Sequence, residues 1–235
     1  KEIDFTIIRE NTEDFYIGAW GRAKSGKNRQ KIDVEKCKAR VCIDVEAKSE
    51  LAFQIGILSR KSCERIARFA FDYAKRKNKR ITAVDKSNMM EFYSLWREAF
   101  ERTSKEYQGV EYEFNLIDMA VVNLIRQPEK YNVIAAPNMF GDILSDLGTV
   151  LQGGLSFGAR ANMNPDGISM FEPIHGSAQK LKDKGIVNPI ATIWAGALML
   201  DFIGQQKSSD LIVKAMESLL KEGRTRTHDL DGNNS

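Results

Sequence analysis

The chain has 235 residues, and its 35 Lys and Arg side chains are nearly balanced by 32 Asp and Glu, which leaves a formal net charge of +3. So small a net charge argues against a nucleic-acid binder or a protein held on an anionic membrane. Hydrophobic residues make up 43% of the chain, as is usual for globular proteins, and no apolar run approaches the ~20 residues of a membrane span. The three cysteines, Cys37, Cys42 and Cys63, include no CxxC pair, which predicts a reducing, cytoplasmic setting.

The first part of the chain is predicted as strands on either side of a polar arm. Residues 3–8 are apolar and β-branched, which predicts a strand that leads into the charged cluster 9–14. The Gly- and Lys-rich stretch 18–31 predicts an exposed loop or arm. Alternation at 40–45 and 51–58 predicts two further strands, which can pair as an antiparallel ribbon.

Beyond this arm, helical and strand patterns alternate. Ser62 is the predicted N-cap of a helix whose apolar face includes Ile66 and Phe69. The segments that follow are predicted as strands at 81–84, 110–117, 131–136 and 168–171, and as helices at 92–100, 119–125, 189–203, 210–221 and from about residue 140. This alternation predicts an α/β protein with a sheet covered by helices. The glycine-rich segment 153–158 interrupts it and predicts a boundary between a domain of residues 1–152 and another of 153–235.

A phosphate-loop pattern at residues 21–28 is a misleading feature. Its last position must carry a hydroxyl group to hold Mg²⁺, and the chain has Asn28 there. No buried strand is predicted before it and no helix after it, so a basic surface arm is the favoured interpretation.

Asp142 and Asp146 are four residues apart and therefore share one face of the helix predicted from about residue 140. Carboxylate oxygens at this spacing suit Mg²⁺ or Mn²⁺, and Asp118, at the start of another predicted helix, can supply a third ligand. In the alternative interpretation, Asp142 only caps the first helical turn, where the helix dipole favours it, and Asp146 is an exposed surface residue. Spacing alone leaves both interpretations open.

Two basic residues follow predicted strands. Arg9 is suited to bidentate capture of a carboxylate, although a structural ion pair with Glu10 or Glu13 is the alternative. Lys86 follows the strand predicted at 81–84, a position that suits proton transfer, but lysines are abundant in this chain and the signal is weak alone.

The segment 171–178 predicts a cofactor site. His175 is one of only two histidines and lies in a Pro/Gly loop rather than on an apolar helix face. Gly176 and Ser177 offer backbone N–H groups and a hydroxyl that suit a phosphate-bearing cofactor. Asn188 is either the cap of the next helix or an amide that reads adenine.

Together these segments resemble the metal-dependent β-decarboxylating dehydrogenases, the isocitrate/isopropylmalate dehydrogenase family, which includes the homoisocitrate and tartrate/D-malate enzymes. The matching motifs occur in family order and are RENTEDFY (9–16), VDKSN (84–88), LIDMA (116–120), PNMFGDILSDLG (137–148), MFEPIHGSA (170–178) and VNPIATIWAGALMLDFIG (187–204). The resemblance implies an isopropylmalate-dehydrogenase-like two-domain α/β fold. Residues 1–152 would form a small domain with a dimer clasp, and 153–235 would form the C-terminal part of the large, cofactor-binding domain.

The resemblance also implies an activity and a role for each matching residue. The activity is the oxidative decarboxylation of a (2R)-hydroxy acid, with hydride transfer to NAD or NADP and with Mg²⁺ or Mn²⁺. Arg9 would bind a substrate carboxylate, Asn88 would lie beside nicotinamide and substrate, Tyr16 would donate a proton and Lys86 would assist deprotonation of the hydroxyl. Asp118, Asp142 and Asp146 would hold the metal, and the cofactor pocket would comprise Glu172, His175, Gly176, Ser177, Ala178, Lys180 and Asn188.

The implied assembly is a homodimer, or a higher oligomer built from it, in which Lys86 and Asp118 reach into the partner's site. No nucleic acid or membrane is expected as a partner. The alternative is a catalytically idle regulatory subunit, which the intact tyrosine, lysine and aspartates disfavour. The family also has an N-terminal segment before RENTEDFY and a last helix after the final Gly/Asn turn. We therefore expect these residues to be a piece of a longer chain, and to be inactive alone.

Cofactor and substrate are less determined. Members of the family that use NAD usually have an acid at the position of Lys180, so this residue slightly favours NADP, although Leu181 replaces the aromatic expected of a phosphate reader. Gln179 also departs from the usual Pro. RENTED resembles the isocitrate and homoisocitrate members, whereas segments 161–165 and 188–204 resemble the tartrate/D-malate branch, so the motifs leave the substrate open.

Overall fold

The computed structural model describes residues 3–164, 167–177 and 179–232. Its strands are β1 (Thr6–Arg9), β2 (Trp20–Ala23), β3 (Gly26–Val34), β4 (Ala39–Ala47), β5 (Leu51–Gln54), β6 (Ile81–Asp85), β7 (Tyr112–Leu116), β8 (Val133–Ala136), β9 (Ala159–Asn162) and β10 (Met170–Pro173). Its α-helices are α1 (Arg60–Lys77), α2 (Ser94–Ser104), α3 (Ile117–Arg126), α4 (Asn138–Leu151), α5 (Ile190–Phe202) and α6 (Gln206–Glu222). The protein is thus α/β, as predicted.

The chain divides into two compact units, Lys1–Asp146 and Leu147–Ser235. The division falls within α4, whereas the sequence placed a domain boundary after residue 152. The assignment of the two parts to the small and large domains of the family stays a prediction.

The first unit is built on a parallel sheet of strand order β1-β8-β6-β7. Every residue of β6 and β8 is buried, because these central strands are covered on both faces and are accordingly rich in Val, Ile and Ala. Because all four strands run the same way, the residues that follow them collect at one edge of the sheet. That edge is where ligands bind in open α/β sheets.

The polar arm is strand rather than loop, which corrects the prediction for residues 18–31. In β3, Lys27 and Arg29 lie opposite Glu46 and Asp44 of β4, and such opposite-charge pairs stabilise an antiparallel ladder with one solvent-exposed face. The predicted ribbon between the two later strands is also wrong, because β4 pairs with β3 and β5 pairs with β2. The phosphate-loop pattern spans β2 and β3 and opens no helix.

The N-cap of α1 is Ser59 and not Ser62. The Ser59 hydroxyl accepts a hydrogen bond from the Ser62 backbone N–H at 3.2 Å, so the helix begins three residues earlier than the sequence indicated. Ser62 is itself buried within the first turn. The apolar face of α1 packs against the sheet, with Ile66, Ala70 and Ala74 buried.

The second unit contains the antiparallel pair β9 and β10, with α5 and α6 packed against each other. The strand predicted at 168–171 begins at Met170, and the sequence reasoning missed β9 altogether. Within the described residues, no helix combines the length and the apolar character needed to span a bilayer.

Candidate active site

The carboxyl edge of the parallel sheet brings together residues from four distant motifs. Arg9 ends β1, Lys86 follows β6, Asp118 lies in the first turn of α3 after β7, and α4 begins just after β8. The register aligns Arg9 with Ala136 and Asp85 with Leu116, so these positions end at neighbouring places on the edge. The sheet topology therefore accounts for the collection of Arg9, Lys86, Asp118 and Asp142 in one unit.

Arg9 lies along the first two turns of α4. Its Nε and Nη2 atoms donate to Asn138 Oδ1 at 2.9 and 2.7 Å, and its Nη1 donates to Asp142 Oδ1. The alternative ion pairs within its own loop do not form, because Glu10 instead accepts from Arg65 and Glu13 from Ser59. The side chain of Arg9 is 24% exposed, so it is held in place and still reaches solvent.

The approach of Arg9 to the helix depends on Gly141. A Cβ atom at this position would lie 2.6 Å from Arg9 Cγ and 2.8 Å from Arg9 Cβ, closer than real Cβ contacts come. The absent side chain therefore gives the stem of Arg9 its place against α4.

Tyr16 shares the same carboxylate. Its hydroxyl donates to Asp142 Oδ2 at 3.1 Å, and the Arg9 guanidinium lies 5.8 Å from the centre of its ring. Desolvation, followed by the hydrogen bond to Asp142 and the charge of that group, raises the pKa of Tyr16, and Arg9 opposes part of the effect. At neutral pH the phenol thus keeps its proton, as a general acid requires.

Asp142 lies one turn inside α4 rather than in its first turn, because the helix begins at Asn138. The alternative interpretation of Asp142 as an N-terminal cap is therefore wrong, and the helix dipole stabilises its charge little there. The position of Asp142 is instead stabilised by Arg9 and Tyr16, which approach its two oxygens. Asp146, one turn further on, is exposed.

Lys86 and Asp118 form a second charged pair at the edge. Lys86 Nζ donates to Asp118 Oδ1 at 2.6 Å, and this hydrogen bond holds the pKa of Asp118 below its ordinary value. Asp118 is 58% exposed, so the pair adds little to stability but keeps the lysine directed at the edge. Asn88 is exposed two residues beyond Lys86.

The sequence reasoning missed the buried acids that support these side chains. Asp85 is fully buried, accepts two hydrogen bonds from Arg97 at 2.7 and 3.1 Å, and accepts another from the Ser87 N–H at 2.8 Å, which folds the loop that presents Lys86. In the sequence Asp85 stands beside charged and polar residues that resembled a surface cluster, and no periodic pattern marked it as buried.

Asp14, two residues before Tyr16, is a second buried acid that holds a loop of the site in place. It accepts hydrogen bonds from the Tyr93 hydroxyl at 2.8 Å and from the Met139 N–H at 2.9 Å. Its φ of 67° is unusual for a residue with a side chain, and such backbone strain persists only where the surroundings enforce it. The loop that carries Tyr16 is thus fastened to the start of α4.

The donor set at the edge fits a hard divalent cation in its chemistry. Asp142 and Asp146 offer carboxylate oxygens from successive turns of one helix, and Mg²⁺ and Mn²⁺ prefer such ligands. Among the residues the structure describes, no three His, Cys, Asp or Glu side chains cluster closely enough to hold a metal alone. The three-aspartate site, with Asp118 coming from a partner, stays a prediction.

A separate pocket lies in the second unit. Its volume is about 660 Å³, and its lining includes Glu172, His175, Gly176 and Ser177 of the predicted cofactor set. His175 Nδ1 lies 3.0 Å from the Gly176 carbonyl oxygen, whereas its buried Nε2 has no hydrogen-bond partner among the described residues. An unpaired buried nitrogen in a pocket fits a ligand with a polar group to offer.

Three other predicted cofactor residues have different outcomes. The Asn188 amide oxygen accepts from the Ile190 N–H and its nitrogen donates to Asp229, both at 3.0 Å, so this residue holds the first N–H of α5 from one position before the N-cap Pro189. Lys180 is exposed and does not line the pocket, although its neighbour Lys182 does. Ala178 lies outside the described residues.

An arginine, a tyrosine and carboxylates thus lie at the carboxyl edge of the parallel sheet of an α/β protein. The sequence profile described as isocitrate/isopropylmalate dehydrogenase matches residues 1–235. The chain belongs to this family.

Individual relatives agree on the family and differ in substrate. The chain is 35% identical over 235 residues to a protein described as a probable tartrate dehydrogenase/decarboxylase from Bacillus subtilis, 36% identical over 241 residues to the D-malate dehydrogenase of Escherichia coli, and 38% identical over 234 residues to the homoisocitrate dehydrogenase of Methanocaldococcus jannaschii. Each match covers 99% of this chain but only 60%, 61% and 59% of the relative. The chain thus spans about three fifths of the length of these relatives.

A solved structure gives the same result for the fold. The isocitrate dehydrogenase of Methylococcus capsulatus superposes with a TM-score of 0.81 at 35% identity, covering 99% of this chain and 63% of that one.

Proposed function

We propose that the protein containing this chain oxidatively decarboxylates a (2R)-hydroxy acid of the isocitrate, isopropylmalate, homoisocitrate or D-malate type, with NAD or NADP and a divalent cation. The observation that carries the proposal is the Arg9–Asp142–Tyr16 cluster, in which one carboxylate contacts both a carboxylate-binding group and a proton donor. Membership of a family whose relatives are named as decarboxylating dehydrogenases supports it.

Arg9 would bind a carboxylate of the substrate. Its guanidinium is fixed by Asn138 and Asp142, and a planar fork of N–H groups matches carboxylate geometry. Because the stem lies in the space left by Gly141, the guanidinium has little freedom to leave this position. The substrate would thereby be oriented against the edge of the sheet.

Tyr16 would supply the proton that replaces the departing carboxylate. Its raised pKa keeps the phenol protonated, and its hydrogen bond to Asp142 fixes the direction of the hydroxyl. Lys86, hydrogen-bonded to Asp118, would assist removal of the proton from the substrate hydroxyl.

Asp142 and Asp146, together with Asp118 of the partner subunit, would hold Mg²⁺ or Mn²⁺. When bound, the cation supplies Lewis-acid polarisation of the substrate oxygen, and the nicotinamide accepts the hydride. The pocket around His175 would hold the cofactor, with its unpaired Nε2 available to a polar group. The exposed Lys180 and the pocket-lining Lys182 give a slight preference for NADP over NAD.

A homodimer with shared sites is also part of the proposal. Met119, Val122 and Ile125 form an apolar stripe on α3, and they are 49%, 42% and 60% exposed. This stripe shares its helix with Asp118, so a second subunit packed against α3 would bring Asp118 close to another site. The paired arm strands β3 and β4 would form the clasp.

The test is a screen of the full-length protein with Mn²⁺ and either nucleotide against isocitrate, isopropylmalate, homoisocitrate, D-malate and tartrate. We expect one or more of these acids to reduce the nucleotide and the variant Asp142→Asn to lose this activity. Absence of turnover with every acid, from a protein that still binds nucleotide, would favour the alternative of a regulatory subunit.

A further inference from the structure

Asn138 is the buried residue through which α4 contacts the Arg9 loop. It begins the helix, is only 2% exposed, and uses both ends of its amide. Its Oδ1 accepts from Arg9 Nε and Nη2 at 2.9 and 2.7 Å, and its Nδ2 donates to the Glu13 carbonyl oxygen at 3.1 Å. One side chain thus connects the arginine, the loop and the helix.

We propose that Asn138 is a positioning residue for substrate binding: it fixes the Arg9 guanidinium through a neutral oxygen and so preserves the positive charge for a substrate carboxylate. This deepens the proposed function and rests on it in one respect, namely that Arg9 binds a carboxylate.

The neutrality of the amide is the central point. Arg9 already contacts one carboxylate, that of Asp142. A second carboxylate at position 138 would neutralise the guanidinium and compete with the substrate, whereas an amide oxygen accepts the same two hydrogen bonds without a charge. A guanidinium has five N–H donors, so the bonds to Asn138 and Asp142 do not exhaust it.

The other half of the amide fixes the orientation of the oxygen. The Glu13 carbonyl can only accept, so it binds the NH₂ group of Asn138 and directs the amide oxygen towards Arg9. An aspartate at this position would place an acceptor against an acceptor, and an alanine would leave both partners without their contact. Only an amide of this length satisfies the two neighbours at once.

A double-mutant cycle in the full-length protein tests whether Asn138 acts through Arg9. Loss of charge-assisted hydrogen bonds predicts a fall of about tenfold or more in kcat/KM for Asn138→Ala, mainly through KM. If the effect passes through the arginine, the same change in an Arg9→Lys background should lower kcat/KM by less than about twofold. Multiplication of the two separate losses would overturn the proposal, because a structural defect is independent of the residue at position 9.

An NMR measurement of the arginine Nε–H signals decides the positioning claim without turnover. We expect a resolved, slowly exchanging Arg9 signal in the unaltered protein and in Asn138→Asp, and its loss in Asn138→Ala. Persistence of the signal in Asn138→Ala would overturn the proposal. If the unaltered protein oxidises no hydroxy acid, the proposed function fails, and the NMR result still decides whether Asn138 holds Arg9.

Asn138→Asp tests the role of neutrality and guards against misfolding of the alanine variant. It keeps the shape and the acceptor, so we expect a KM raised about tenfold with Arg9 still in place. The control is Asn78→Asp, which makes the same change of charge at the exposed C-terminal cap of α1. An unchanged KM in Asn138→Asp, or an equal rise in the control, would contradict the proposal.

Discussion

The space reserved for Arg9 by Gly141 leads to a prediction about the variant Gly141→Ala. The glycine lies within α4, where alanine is favoured by about 1 kcal/mol. However, the new Cβ would lie 2.6 and 2.8 Å from the Cγ and Cβ atoms of Arg9, and overpacking of this kind costs about 1–3 kcal/mol. These atoms belong to the base of the side chain, so relief requires the whole arginine to move.

The helix-propensity gain and the overpacking against Arg9 nearly compensate in the free energy of unfolding, but nothing compensates for the displacement of Arg9 in substrate binding. We expect the free energy of unfolding to fall by only about 0–2 kcal/mol, the difference between the two contributions. Loss of hydrogen bonds from a charged group is worth about 1.5–3 kcal/mol, which corresponds to a KM raised roughly tenfold to a hundredfold. Urea unfolding and steady-state kinetics of the full-length protein measure the two quantities.

Gly196→Ala is the matched control. Gly196 lies inside α5, and a Cβ there meets no described atom within 4 Å, so we expect the helix-propensity gain without any change in KM. An unaltered KM in Gly141→Ala would refute the reasoning, since it would mean either that Arg9 tolerates the new methyl group or that Arg9 does not bind the substrate.

Three further predictions concern Asp14, α3 and the shared site. Burial raises the pKa of Asp14, so ionisation of this group lowers the stability of the folded protein as pH rises from about 4. In urea unfolding, the free energy of unfolding of Asp14→Asn relative to that of the unaltered protein should therefore increase with pH. A difference that does not change with pH would contradict the assignment. Val122→Asp places a charge in the apolar stripe and should convert dimer to monomer in sedimentation, with loss of activity; an active monomer would exclude the dimer interface on α3. Lys86→Ala and Tyr16→Phe should each be nearly inactive alone. When the two variants are mixed and their subunits reassemble, about a quarter of the activity of the unaltered protein should return, because half of the dimers contain one subunit of each kind and each of these has one intact site. No recovery would mean that both residues act within one subunit.

The elements of the sheet were predictable from the sequence because its central strands are buried on both sides. The run Val133–Ala136 is apolar throughout, and an amphipathic helix follows it, so periodicity was enough. In the arm, alternation indicated β4 and the start of β5, although β5 ends at Gln54 rather than at residue 58. It gave no information on partners, since β3 and β4 pair by register and charge across the hairpin. The start of α1 was misplaced by three residues because Ser59 and Ser62 are equally good caps by residue type.

The sequence supplied candidate site residues one by one, but it did not supply the contacts between them. Arg9 and Asp142 belong to separate motifs 133 positions apart, and only the parallel pairing of β1 with β8 brings them together. Asn138 and Asp14 were missed because their function lies in burial and hydrogen bonding, which a single sequence does not reveal. The resemblance to a family supplied candidate catalytic side chains and gave no information on the residues that support them.

The most direct test of the central claim is the stoichiometry of the reaction in the full-length protein with Mn²⁺ and its best hydroxy acid. The account predicts one CO₂ released for each nucleotide reduced, with the steady-state rate of both strongly lowered in Tyr16→Phe because the enolate left by CO₂ lacks its proton donor. Nucleotide reduction without CO₂, or a steady-state rate that does not depend on Tyr16, would contradict it.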